Sequence, residues 1–220
     1  MIAHRWSLAS ERCFMLSFDG AVSLDKQELC WGLAEDLLHA DFAPYLVETV
    51  VGMNTLSVYT IPLTVAQMTA LEEALTAFSQ TMRPKKIAGN HVQIPVRYGG
   101  RYGADLADCA NAKGMSKEAL VAAHTAPIYT VYFIGFQAGF PYLGGLPEAL
   151  FMARHSVPRT QVPAGSVGIG GQQTGIYPFA SPGGWQLLGQ TTAQLFDVQQ
   201  NPPTLLKAGD TLQFVALSVD

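Results

Sequence analysis

Apolar positions follow two different rhythms along this chain. Cys13 to Phe18 (CFMLSF) is a short apolar run closed by Asp19-Gly20, a strand followed by a turn signal. Leu29, Leu33 and Leu37 then recur every fourth residue and form one apolar helix face. Asp25, with Glu28 three residues on, has the spacing of a capping box and predicts a helix start near Asp25. Pro44 follows that helix. Tyr45 to Val51 and Thr55 to Ile61 read as antiparallel strands joined by Gly52-Met53-Asn54. Thr64 and Gln67 form a second capping box ahead of a helix that carries Met68, Leu71, Leu75 and Phe78 on one face.

The order strand, helix, strand, strand, helix predicts a ferredoxin-like βαββαβ domain, with His91 to Val96 as its last strand. The polar stretch Met82 to Asn90 holds three basic residues, Arg83, Lys85 and Lys86, and reads as a solvated link between domains spanning 1–84 and 85–220. From His91 the rhythm changes. HVQIPVRY alternates as a strand, and a short helix is predicted over Ser116 to Ala123. Short β-type segments follow at Tyr129–Phe136, Ser166–Ile169, Trp185–Leu188, Gln194–Val198 and Thr211–Leu217, separated by Gly and Pro. Several short strands with frequent turn signals predict a barrel or sandwich. The fold class is therefore α+β.

Residues 135–189 dominate this second half. They hold twelve of the 21 glycines and six of the 13 prolines, and no Asp, Glu, Lys or Arg lies between Arg159 and Asp197. So much Gly and Pro excludes a helix, and Phe, Tyr, Trp and Ile throughout exclude a disordered linker. The stretch reads as turn-rich β structure with a largely neutral surface, its glycines serving either barrel corners or close backbone approach.

Composition narrows the partners. The chain is 49% hydrophobic and 14% charged, which supplies a sizeable core and leaves apolar surface for another molecule. A net charge of −4 argues against nucleic acid. Cys13, Cys30 and Cys109 are scattered and odd in number, as expected of reduced thiols in a cytoplasmic protein. The start of the chain has no apolar h-region, and no apolar run approaches membrane-span length. The five histidines lie far apart and no cysteine pair is close, so no dedicated metal site is expected.

Familiar catalytic motifs fail on inspection. There is no P-loop. The segment from Gly168 to Gln173 starts like a dinucleotide fingerprint but ends in Gln, and Ala164 stands where a nucleophile elbow needs glycine. What remains is a neutral, donor-rich constellation. Across residues 119–196 the only Asp, Glu, Lys or Arg are Glu148, Arg154 and Arg159. Arg159 is a candidate to grip a carboxylate or phosphate, or else a surface ion pair. His124 is a candidate acid or base, or else a structural histidine. Gly170, Gly171, Gln173, Thr174 and Tyr177 offer backbone, amide and hydroxyl groups, and Phe140, Tyr142 and Trp185 offer pocket walls, unless they are plain core.

Three ordered segments, VYFIGFQAGFPYLGGLPEAL, PRTQVPAGSVGIGGQQTGIYP and SPGGWQLLGQT, together with LFD and PPTLLKAGD, strongly resemble the B-subunit family of the bacterial 5-oxoprolinases. That family is also called allophanate hydrolase subunit 1 or the Kip-type kinase inhibitor family. The resemblance is dense from Tyr98 onward and weak in the first 80 residues. It implies a ferredoxin-like N-terminal domain and a cyclophilin-like β-barrel C-terminal domain. It also implies partners of two kinds, a cyclophilin-like C-type subunit and an A-type subunit, and ATP-dependent opening of 5-oxo-L-proline to L-glutamate. Because the chain has no nucleotide loop, ATP is expected at a site shared with those partners. On this reading Arg159 holds an anionic group, His124 moves protons, and backbone N–H groups near Gly168 to Gly171 stabilise oxyanion charge. The same resemblance also covers a non-catalytic inhibitor of a sensor histidine kinase and a urea carboxyltransferase-type module. Three positions depart from the family pattern: Gln190 stands where Arg is usual, Ala138 where Pro is common, and FMAR (151–154) replaces a segment usually ending Pro-Arg.

Overall fold

The computed structural model describes residues 2–220, which form two compact units divided between Ile87 and Ala88. The first opens with a hairpin of β1 (His4–Ser10) and β2 (Cys13–Phe18), in which Ser10 faces Cys13. Then come α1 (Leu24–Asp36), β3 (Leu46–Val51), β4 (Thr55–Thr60) and α2 (Val65–Ser79). The strands make one antiparallel sheet in the order β1-β2-β4-β3. Phe14, Leu16, Leu56 and Val58 on the sheet pack against Leu33 and Leu37 of the first helical segment and Leu71 and Leu75 of α2.

This corrects the expected element order. The unit runs ββαββα, and the strand beside β2 is the N-terminal β1, whereas His91–Tyr98 belongs to the second unit. The reason is local. A hairpin partner two residues away closes a far shorter loop than a strand beyond the polar link. Helix α1 also starts earlier than predicted. Its cap is Ser23, whose hydroxyl accepts from Lys26 N–H at 3.5 Å, so Asp25 sits in the first turn. The Thr64–Gln67 capping box is present in both directions.

The second unit is a closed seven-stranded barrel. Its strands are β5 (His91–Tyr98), β6 (Tyr129–Ile134), β7 (Pro141–Gly144), β9 (Ser166–Gly170), β10 (Gln173–Ile176), β12 (Gln186–Gln190) and β13 (Thr211–Val219). They close in the order β10-β7-β6-β13-β5-β12-β9, with β13 parallel to β5 and the other pairs antiparallel. A separate ribbon pairs β8 (Arg159–Val162) with β11 (Ser181–Gly183). Two helices, α3 (Leu106–Ala112) and α4 (Lys117–Thr125), add Leu106, Leu120 and Val121 to the barrel core. The predicted strand at 194–198 is absent as such; Phe196 makes only an isolated bridge to Thr204. Among the described residues no helix is long and apolar enough to cross a membrane.

Candidate functional site

The glycines of the second unit have a directional logic. In β9 and β10, Val167, Ile169 and Ile176 point into the barrel core, and Thr174 points inward with them. Strand alternation therefore turns Gly168, Gly170 and Gly175 outward. A Cβ on Gly170 would lie 2.5 Å from the Trp185 indole nitrogen, and one on Gly175 would lie 2.7 Å from Pro141 O and 3.1 Å from the Phe140 ring. These positions form a wall without side chains, on which aromatic rings lie directly against backbone.

The rings on that wall are Phe140, Tyr142, Tyr177 and Trp185, a cluster separate from the barrel core. Phe140 meets Tyr177 edge-on at 5.2 Å and Trp185 edge-on at 5.4 Å, and Tyr142 stacks on Phe133 at 4.4 Å. Edge-to-face packing satisfies the ring quadrupoles and fixes each ring against its neighbours. Between these rings, Phe136, Arg154, Pro158 and Gly183-Gly184 lies a pocket of about 250 Å³. Burial pushes the Tyr142 and Tyr177 phenols up, further from ionisation than a free phenol, which is already protonated at neutral pH. The Arg154 guanidinium lies over the Trp185 ring at 5.8 Å and is the cation of this pocket.

Phe136 is held in an unusual way. Its φ is +62°, and Gln137 N–H closes a three-residue turn onto Gly135 O at 2.6 Å. Such turns are rare and strained for a residue with a side chain. The strain presents a ring that is 60% exposed at the pocket mouth, 5.5 Å edge-on to Phe140. The periodicity reads Phe136 as the last residue of a strand; the structure ends β6 at Ile134 and puts Phe136 in the turn.

A charged network lies beside the pocket. Asp105, 5% exposed, accepts from Arg159 Nη2 at 2.5 Å and from Leu187 N–H at 2.6 Å. His155 Nε2 is 3.4 Å from Asp105 Oδ2, in ion-pair range but outside hydrogen-bond geometry. Arg159 Nη1 is buried with no partner. Arg159 is therefore committed to Asp105, and it does not line the aromatic pocket. Asp105, His155, Phe136 and the pocket role of Arg154 were missed by sequence reasoning. Asp105 lies 54 residues upstream of Arg159, and no local pattern marks that pairing.

The structure moves His124 and Thr174 out of the pocket. Both are fully buried inside the barrel. Thr174 Oγ1 donates to Gly168 O at 2.9 Å, so its oxygen receives the His124 Nε2 proton at 3.0 Å. His124 Nδ1 then accepts from the Tyr98 hydroxyl at 2.9 Å. The ring stacks on Phe214 at 4.7 Å, and burial lowers its pKa to about 3. A neutral imidazole with both nitrogens engaged and no solvent contact has no substrate proton to move. Gly171 sits in the turn between β9 and β10, and Gln173 is the first residue of β10, opposite Gly170. Gly171 N–H donates to Met152 O at 2.7 Å and β9 is paired on both edges, so the proposed row of oxyanion donors is occupied by sheet hydrogen bonds. Burial raises the Cys109 and Cys30 thiols to about 12, which removes both as nucleophiles.

Residues 4–206 match the family described as carboxyltransferase domain, subdomain C and D. A Haemophilus influenzae protein named as the B subunit of 5-oxoprolinase is 47% identical over 96% of this chain and 97% of its own length. One of the same name from Escherichia coli O157:H7 is 43% identical over 96% and 95%. Among solved structures, TTHA0988 superposes with a TM-score of 0.73 at 36% identity, covering 93% of this chain and 39% of that longer one. The urea amidolyase of K. lactis superposes at a TM-score of 0.80 with 18% identity, over 98% of this chain and 15% of its own; that likeness concerns the fold.

Proposed function

This chain belongs to the B-subunit family of the 5-oxoprolinases, built on the carboxyltransferase C and D subdomains, and from that footing we propose that it serves as the B-type component of a 5-oxoprolinase. With C-type and A-type partner subunits it opens 5-oxo-L-proline to L-glutamate, driven by ATP. The observation that carries the reading within this chain is the aromatic pocket with one cation. 5-Oxoproline is a small, nearly flat lactam with one carboxylate, and a pocket of about 250 Å³ walled by aromatic rings and holding one cation suits it. The carboxylate of the substrate meets Arg154, whose guanidinium is already oriented by stacking on Trp185. The Tyr142 and Tyr177 phenols, protonated at neutral pH, donate to substrate oxygens. Phe136 excludes water from the open side.

ATP supplies the phosphoryl group that activates the amide oxygen, a step assigned to the site completed by the partners. This chain binds and orients the ring. His124 and Arg159 take structural places in the barrel and in the Asp105 network. The test is co-expression with candidate C-type and A-type subunits, followed by glutamate release dependent on both ATP and 5-oxoproline. Arg154→Ala and Phe136→Ala are expected to raise KM at least tenfold in that complex. Wild-type KM in both variants refutes the pocket assignment. No turnover in any combination, alongside tight inhibition of a histidine kinase, replaces the enzyme reading with a regulatory one.

A further inference from the structure

A second cavity on the barrel holds none of the residues of the aromatic pocket or the Asp105 network. It is a groove of about 500 Å³ lined in part by Pro95, Arg97, Tyr102, Gln190, Thr191 and Leu217. Strands β5 and β12 pair beneath it with Gln190 directly opposite Arg97, so both side chains rise on the same outer face. Arg97 Nη1 donates to the Tyr102 hydroxyl oxygen at 2.9 Å, and Arg101 Nη2 donates to the same oxygen at 2.6 Å. Two cations thus converge on one phenol. Each guanidinium has five N–H donors, and the phenol receives one from each. Among the described residues neither arginine makes an ion pair with a carboxylate; the acid acting on Arg101 from a distance is Asp220.

The rest of the groove is built rather than incidental. Gln190 Nε2 donates to Ala164 O at 2.7 Å and pins the turn that forms one wall. In that turn Gly165 has φ +78°, and a Cβ there would lie 2.1 Å from Thr191 O, so the two segments are pressed together. The lining also carries apolar groups, Pro178, Ala193 and Leu217, the last on the β13 segment that runs beside Arg97. The groove therefore combines a cation with spare donors and apolar surface in one lining.

We propose that this groove binds a small ligand bearing a carboxylate or phosphate on an apolar body. The oxyanion docks on Arg97, which Tyr102 holds in place, and the body lies along Pro178, Ala193 and Leu217. Fork-shaped guanidinium recognition of a two-oxygen edge supplies the specificity for an anion. This site is independent of the aromatic pocket and of the lactam-opening reading.

The test uses the full chain alone, by calorimetric titration with three probes: phenyl phosphate, 3-phenylpropionate and the neutral 3-phenylpropionamide. One or both anions bind the wild type, and the neutral amide binds at least tenfold more weakly. Arg97→Ala loses at least tenfold in affinity, and Tyr102→Phe several-fold, with unchanged circular dichroism. Phe136→Ala leaves the titration unmoved, which separates the groove from the aromatic pocket. The anion that binds more tightly tells phosphate from carboxylate. Equal binding of the neutral amide, equal binding by Arg97→Ala, or no binding of either anion at 10-millimolar-scale concentration (about the weak limit for a specific small ligand) overturns the proposal.

Discussion

Burial of a neutral histidine makes the barrel sensitive to mild acid. His124 has no solvent exposure, and its pKa falls from 6.5 to about 3 through desolvation. The folded state therefore refuses a proton that the unfolded chain accepts below pH 6.5. A depressed folded pKa contributes stability that is complete above 6.5 and is lost as pH falls towards 3. At 1.36 kcal/mol per pH unit, the loss is about 2 kcal/mol at pH 5 and about 3 kcal/mol at pH 4. His124→Gln keeps a donor and an acceptor but cannot titrate. It costs roughly 2 kcal/mol at pH 7.5, through the lost stack on Phe214 and imperfect fit to Tyr98 and Thr174. The gap between wild type and variant should then close by about 2 kcal/mol on going to pH 5. Shared contributions from other histidines and carboxylates cancel in that difference. The assay is urea unfolding at pH 7.5, 6 and 5. In a Trp6→Phe, Trp31→Phe background, Trp185 remains as the only tryptophan and reports the barrel alone. A pH-independent gap, or an imidazole resonance of His124 that titrates near 6.5, refutes the reasoning.

Other outcomes follow from the same geometry. Gly170→Ala places a methyl 2.5 Å from the Trp185 indole, so the ring must shift; barrel stability should drop by about 1–3 kcal/mol and Trp185 emission should move to the red. Asp105→Asn strips Arg159 of its charged partner and should lower the urea midpoint by the equivalent of about 2 kcal/mol, with partial recovery in Asp105→Asn, Arg159→Met. Phe136→Gly releases the positive φ and should leave stability within about 1 kcal/mol of wild type, while KM for 5-oxoproline in the assembled complex rises.

The glycine-rich stretch shows how a sequence signal and its structural meaning can differ. Its density of glycine marks close backbone approach, and that reading holds at Gly168, Gly170 and Gly175. Which neighbour approaches is invisible in the chain, because Trp185 and Phe140 reach these glycines only after β9, β10 and β12 have paired. Phe140, Tyr142 and Trp185 were legible as apolar residues to be sheltered, as pocket walls or as plain core, because rings are costly to leave exposed. His124 was legible only as one of two possibilities. Its fate was set by α4, which packs it on Phe214 inside the barrel.

Local signals therefore determined a good deal. The Thr64–Gln67 cap, the strand pair around residue 52, the β-rich second half and the shelter of its aromatic residues all rest on interactions within a few residues or on simple burial. The tertiary structure alone decided the rest: the N-terminal hairpin that completes the first sheet, the outward turn of the glycines and the strained Phe136. It also decided the Asp105–Arg159 pair and the Arg97–Tyr102 groove. Each of these joins residues or orientations whose energy depends on a closed barrel or sheet. Periodicity along a chain encodes which side is buried, but not which distant segment buries it.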